Sequence, residues 1–192
     1  INSYESEILK EKFADVDNLV IVNTCAVTSE AERQCRQTVR KLRKEHPEAK
    51  IVVTGCAAQV NPQMFEKMPE VDLVLGNKEK AALEEYIRGD LLEKTVVGDI
   101  FSYDGYDGYL ITGFEGRHRA FVQVQQGCNH RCTYCIVPFA RGNNRSVPEE
   151  QILKQIKTLL EQGFKEICLT GVDVCSYQPS FSKLVQHILE AF

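Results

Sequence analysis

A chain of 192 residues, 43% hydrophobic and 26% charged, holds enough apolar material for one large or two small soluble domains. Its formal net charge of −4 excludes a uniformly basic nucleic-acid binder, and no apolar run has the length of a membrane span or the form of a signal peptide, so a cytoplasmic protein is expected. Eight cysteines in such a compartment point to metal binding or catalysis rather than to disulfides. The chain begins at Ile1 without an initiator Met and stops at Phe192 inside an apolar-periodic run, so a fragment of a longer protein is expected.

Residues 1 to about 95 alternate strand-like and helix-like segments. Residues 18–23 read as a buried parallel strand that ends at Thr24-Cys25. A helix follows, opened by Ser29 and Glu32 at capping-box spacing, with Ala31, Cys35, Val39 and Leu42 on one face and Pro47 as its stop. Residues 50–54 form a second strand, which ends at Gly55-Cys56. A short helix around 62–68 leads to a third strand over 71–75, and Asn77 is placed to cap a helix over 78–88 that Gly89 ends. This order predicts a small parallel sheet with helices packed on it.

Residues 98–116 hold five glycines among acidic and aromatic residues, which suits a linker or a surface loop. A second unit opens with an alternating strand over 120–125 and runs into a cysteine-rich loop. Pro148, Glu149 and Glu150 start a helix whose buried stripe is Ile152, Ile156, Leu159 and Leu160; a strand over 166–171 and a helix from Ser182 follow. Strand, loop, helix, strand, helix is how a (β/α) barrel starts, and two such units are too few to close one. The expected boundaries are 1–95 for a first domain, 96–119 for a linker and 120–192 for the start of a second domain.

Cys128, Cys132 and Cys135 have C-x3-C-x2-C spacing on a loop just past a strand end, where barrel folds carry their chemistry. Three thiolates can wrap one metal centre, and a cubane cluster needs four ligands, so one iron would stay open for chemistry. A Cys3His zinc site made with His130 is the alternative reading of the same residues. From Arg117 to Val147 there are five arginines (117, 119, 131, 141, 145) and no acidic residue, a local patch able to meet a polyanion.

This spacing, with Tyr134 before the last cysteine and a strand in front, resembles the radical S-adenosylmethionine (radical SAM) signature. The resemblance implies that Cys128, Cys132 and Cys135 hold a 4Fe–4S cluster whose open iron takes the methionine end of S-adenosylmethionine. An electron from that cluster would then yield a 5′-deoxyadenosyl radical. The backbone near Tyr134 resembles the part that contacts the adenine, and the strand end Thr170-Gly171 the part that contacts the methionine amino group.

Cys25 and Cys56 each follow directly on a strand, and parallel strands put both at one edge of the sheet. Taken alone they are either buried thiols or a converging metal pair. The segments Asn23–Thr28, Gly55–Gln59, Val71–Asn77 and Leu169–Asp173 resemble the methylthiotransferases, chiefly the tRNA branch acting on N6-threonylcarbamoyladenosine. That family's N-terminal domain holds a second 4Fe–4S cluster on three cysteines. The resemblance makes Cys25 and Cys56 two of them and expects the third just before Ile1. It implies a small flavodoxin-like parallel-sheet domain followed by the first β/α units of a radical SAM barrel. Most of that barrel and the RNA-binding TRAM domain would lie outside this chain. The implied reaction replaces C2–H of the modified adenine with a methylthio group. The partners would be the tRNA anticodon stem-loop and a flavodoxin-like reductant. Isopentenyladenosine tRNA or a ribosomal protein is the alternative substrate, and a metal- or RNA-binding module the non-enzymatic alternative.

Arg141 and Arg145 follow the cysteine loop and are expected to contact substrate or phosphate, with loop anchoring as the competing role. Asp173 is placed to bond a cofactor or substrate hydroxyl. Cys35 and Cys168 read as core and Cys175 as incidental, while His118 and His130 read as surface loop positions. The basic helix face with Arg33, Arg36, Arg40, Lys41, Arg43 and Lys44 reads as solvated.

Overall fold

The computed structural model describes residues 1–89, 93–105, 110–114 and 116–192, so residues 106–109 and 115 of the expected linker lie outside the described residues. In chain order the first elements are α1 (Asn2–Lys12), β1 (Leu19–Thr24), α2 (Ser29–Glu45), β2 (Lys50–Gly55), α3 (Cys56–Val60) and α4 (Pro62–Glu66). Next come β3 (Leu73–Leu75), α5 (Leu83–Arg88), β4 (Thr95–Val96), β5 (Arg119–Gln123) and β6 (Gln125–Gln126). The last are α6 (Val137–Arg141), β7 (Arg145–Ser146), α7 (Glu149–Glu161), β8 (Glu166–Thr170) and α8 (Phe181–Ala191). Two compact units result: residues 15–103 with 131–142, and residues 1–14 and 104–130 with 143–192. No described helix is long and apolar enough to cross a membrane.

The first of these units is built on a parallel four-stranded sheet in the order β1-β2-β3-β4. The expected parallel sheet is therefore present, with its four strands in sequence order. Ile51, Val52 and Val53 of β2 are each 0% exposed, as a continuous apolar run in a central parallel strand requires. Val39 of α2, Ala57 and Ala58 of α3 and Phe65 of α4 pack into one core with Ile51, Val53 and Val74. Each fully buried Val, Ile or Phe side chain of this core contributes about 1.5–3 kcal/mol.

Two local expectations shift in this unit, and one strand comes in addition to those expected. Thr28, extended at φ −136°, caps α2 by accepting from the Ala31 amide at 3.0 Å, so the cap sits one residue before Ser29. The Asn77 side chain turns instead to the Ala140 carbonyl (2.7 Å), and the helix after it starts as a 3-10 turn at Glu79. Finally, β4 is two residues long, too short for any periodicity to announce it.

In the second unit β5 and β8 pair in parallel, from Arg119 opposite Glu166 to Gln123 opposite Thr170, with α7 in the connection between them. Ile152, Ile156 and Leu159 of α7 are buried with Ala120, Val122, Val124 and Leu184. Leu160 is 36% exposed, because one residue further round the helix carries it off the stripe. Tyr4 and Ile8 of α1 join this same core. Ile111 and Phe114 are buried here too, and the Gln155 carboxamide both accepts from the Ile111 amide and donates to its carbonyl, each at 2.8 Å. This part of the glycine-rich stretch is thus packed rather than solvated. A short antiparallel ladder, β6 with β7, completes the unit.

Candidate metal centre

Gly127, at φ 69°, turns the chain from β6 into the cysteine loop. The residue that holds this turn is Gln125, which is 0% exposed. Its Nε2 donates to the carbonyls of Gln126 (2.9 Å) and Gly127 (2.7 Å) and to Asn144 Oδ1 (2.6 Å). Its Oε1 accepts from the Asp173 amide at 2.7 Å. One buried carboxamide therefore ties the start of the ligand loop to the loop that leaves β8. Gly171 makes room for it, since a Cβ there would stand 2.9 Å from Gln125 Oε1. Asn144 extends the network, with its amide donating to Asn129 Oδ1 (2.9 Å) and its Nδ2 to the Ser176 carbonyl (2.8 Å).

Cys128 is half-buried beside this network, and the His130 amide lies 3.5 Å from its sulfur. Across from it, His130 Nε2 is 2.9 Å from Asp173 Oδ2, which also accepts from Ser176 Oγ at 2.6 Å. His130 is thus more than a surface position: it meets the Asp173 carboxylate. Thr170 closes β8 and uses its carbonyl to accept from the Val124 amide at 2.9 Å.

Cys132 and Cys135 belong to the unit with the four-stranded sheet. The Cys135 amide donates to the Cys132 carbonyl at 3.0 Å, a tight turn that leaves Cys132 exposed, Cys135 half-buried and Tyr134 91% exposed. Arg131 stacks over Phe101 at 5.0 Å, and Phe101 meets Phe139 edge-on at 6.0 Å, which anchors this half of the loop.

At the end of the first sheet, Thr24 pairs with Gly55, so Cys25 and Cys56 leave neighbouring strands side by side. The buried Thr24 hydroxyl donates to the Thr54 carbonyl (2.7 Å) and accepts from the amides of Ala57 (3.1 Å) and Ala58 (3.2 Å). It seats the first turn of α3, and Cys56 with it, on the end of β1. Gly55 (φ 96°) allows the approach, because a Cβ would meet the Thr24 nitrogen at 2.5 Å. Cys25 is half-buried and Cys56 buried. Asn77 Nδ2 lies 3.9 Å from Cys56 Sγ, while its Oδ1 is buried with no hydrogen-bond partner among the described residues.

The arginines after the loop face inward. Arg141 is 5% exposed at the end of α6. Arg145 donates to the main-chain carbonyls of Gly105 and Asn143, both at 2.9 Å. On α2, Arg43 pairs with Asp72 and donates to the carbonyls of Pro47 and Ala49, while Arg40 lies 3.8 Å from Glu70. Hydrogen bonds from Arg33 and then Gln34 hold the Glu30 carboxyl down at about 2. Much of this basic face is therefore engaged within its own unit.

None of the eight cysteines is in a disulfide, and the set fits thiolate-held iron–sulfur chemistry. Three sit within one loop, and two follow neighbouring strands at one end of a sheet, where Cys56 lies close to Asn77, whose Oδ1 has no hydrogen-bond partner among the described residues. Gln125, Asn144 and Thr24 escaped sequence reasoning as site residues, and Asn77 reads there only as a helix cap. The available signal was polar residues at strand exits, where a parallel core otherwise calls for apolar ones.

Residues 1–76 match the family described as "Uncharacterized protein family UPF0004", and residues 122–191 match the Radical SAM superfamily. The chain is 46% identical, over 99% of its length and 47% of the relative's, to "Threonylcarbamoyladenosine tRNA methylthiotransferase MtaB" of Rickettsia prowazekii. The protein of the same name from Aquifex aeolicus is 41% identical over 92% of this chain and 46% of its own. A "tRNA-2-methylthio-N(6)-dimethylallyladenosine synthase" of Thermodesulfovibrio yellowstonii is 35% identical over 93% of this chain and 44% of its own. The chain spans a little under half the length of these curated relatives.

Proposed function

We propose that the chain belongs to the radical SAM methylthiotransferases and is the cluster-holding part of a tRNA methylthiotransferase. Its reaction would add a methylthio group to C2 of N6-threonylcarbamoyladenosine beside the anticodon, in the cytoplasm. The observation that carries this reading is the pairing on one chain of a C-x3-C-x2-C loop with two thiols at the edge of a parallel sheet. The 46% and 41% identity to the threonylcarbamoyladenosine enzymes of Rickettsia prowazekii and Aquifex aeolicus supports the substrate branch.

In this reading Cys128, Cys132 and Cys135 hold a 4Fe–4S cluster, and Cys25 and Cys56 supply two ligands of a second one. The first cluster with S-adenosylmethionine supplies radical chemistry, and the second supplies sulfur. The chain's own residues set the stage. Gln125 fixes the loop that presents Cys128 and, through its Oε1, the backbone of Asp173, which stands ready to accept from a cofactor hydroxyl or amine. Gly171 leaves the room that the Gln125 carboxamide occupies at the strand exit, and Tyr134 is 91% exposed, on a loop whose backbone would meet an adenine edge. Arg145, with its guanidinium on two carbonyls, holds the segment after the loop in place, and the burial of Arg141 suits the same role. The Asn77 amide beside Cys56 tunes its sulfur, since hydrogen bonds to ligand sulfurs shift cluster potentials.

Anaerobic reconstitution with iron and sulfide tests the proposal. A brown chain that cleaves S-adenosylmethionine after reduction, and loses this with Cys128→Ala, Cys132→Ala or Cys135→Ala, supports it. A chain that takes up no iron overturns it. The substrate branch is tested on tRNA from a strain lacking the gene, where the methylthio-threonylcarbamoyl nucleoside should disappear.

A further inference from the structure

We propose that Cys128, His130 and Asp173 form a mononuclear site for a divalent transition-metal ion of the zinc class in the chain before any cluster is loaded. The sulfur, an imidazole nitrogen and a carboxylate oxygen of these residues all lie within 4.8 Å of one another. His130 Nε2 and Asp173 Oδ2 are 2.9 Å apart, close to the edge of about 3.3 Å expected for two light ligands of tetrahedral zinc. A small rotation of the imidazole opens that contact to admit an ion.

The framework around the three donors is already set. Cys128 and His130 come from the loop after β6, and Asp173 comes from the loop after β8. Gln125 holds both sides at once, through the Gly127 carbonyl (2.7 Å) and the Asp173 amide (2.7 Å). Ser176 Oγ donates to Asp173 Oδ2 at 2.6 Å and orients the carboxylate, as outer partners of metal ligands do. The Asp173 side chain is 18% exposed and that of His130 65%, so the site has a fixed floor and an open mouth. One sulfur, one nitrogen and one oxygen make a borderline donor set suited to zinc, with water in the fourth position, and unlike the all-oxygen shells of calcium and magnesium. The thiolate is the ligand, so binding releases the Cys128 proton to solvent.

This site does not rest on the proposed function, yet it bears on it. Cys128 is shared with the radical cluster, so the single ion and the cluster exclude each other.

The test is an anaerobic titration of the iron-free 192-residue chain with Co2+, read by its thiolate-to-cobalt charge-transfer band. The expected result is a band that Zn2+ displaces and that Cys128→Ser abolishes. His130→Ala and Asp173→Asn should each weaken Co2+ binding by about tenfold or more. Cys132→Ser and Cys135→Ser should leave the affinity within about twofold. Circular dichroism checks the fold of each variant, and Asp173→Asn keeps the side-chain shape. Binding that depends on Cys132 and Cys135, or on Cys25 and Cys56, and ignores His130 and Asp173 overturns the proposal, as does the absence of any thiolate–cobalt band. Failure of the radical reading shows separately, as a chain that takes up no iron and sulfide.

Discussion

At the β1–β2 edge the thiols follow directly on hydrogen-bonded strands, whereas at the β5–β8 edge a polar side-chain network stands between strand and ligand loop. In the first region the position of Cys25 and Cys56 is a matter of register: Thr24 opposite Gly55, a hydroxyl under α3, and a glycine where no Cβ fits. In the second, Cys128 lies beyond the last ladder bond, and a buried carboxamide does the positioning. The difference teaches that two sets of thiols after similar parallel strands can be positioned by different kinds of contact. One is set by backbone pairing, which is cooperative. The other is set by a buried hydrogen-bond network centred on one side chain, Gln125, whose loss removes every bond at once.

Variants of the two regions can break this distinction or sharpen it. The largest effect is expected for Gly55→Ala, where a left-handed φ and a Cβ 2.5 Å from backbone should destabilise the sheet unit by roughly 3 kcal/mol or more. Thermal melting measures the loss, and hydrogen exchange should place it at the ends of β1 and β2. Next comes Gln125→Leu, which strands the Gly127 carbonyl and the Asp173 amide. A loss of about 2–3 kcal/mol is expected, with faster exchange at the Asp173 amide and unchanged protection in β2. Wild-type protection at Asp173 in that variant would erase the contrast between the regions. Thr24→Val keeps shape and removes the acceptor of two α3 amides, for about 1–2 kcal/mol, read as a lower Tm.

Two smaller effects depend on pH. Tyr177 donates to the Val147 carbonyl at 3.0 Å, and burial, with a lesser push from Glu149, raises its phenol above the ordinary value of 10.0. The unfolded phenol therefore ionises first, so this contribution is complete below pH 10.0 and is lost as pH rises through the folded value. Tyr177→Phe should cost about 1 kcal/mol at neutral pH and flatten the alkaline decline of Tm. The smallest effect is at Glu30, whose carboxyl is lowered from 4.5 to about 2. Its pairing with Arg33 stabilises fully above pH 4.5 and fades as pH falls towards 2, and Arg33→Ala should return the titration, followed by NMR, towards 4.5.

Much of the architecture was legible because period and punctuation carry it. The apolar runs of β1 and β2, the stripe of α7 with Ile152, Ile156 and Leu159, and the proline that precedes α7 follow from local rules. So does the shared edge of Cys25 and Cys56, since parallel strands that end in the same local pattern end side by side. What local rules missed lies where partners are far apart in sequence. Asn77 has the residue type of a cap and instead reaches Ala140, sixty-three positions on. The glycine-rich stretch reads as solvated, yet Ile111 is buried because Gln155, forty-four positions away, satisfies its backbone.

The amino-acid sequence by itself determined the donor chemistry of this protein: how many thiols, at what spacing, after which strands. Sulfur ligation needs only the right atoms within reach of a short loop, and a short loop is a local object. Tertiary structure alone decided what stands around those thiols. Only the packed strands bring Gln125 against Gly171 and His130 against Asp173, because these contacts join loops that follow different strands and have no period to betray them.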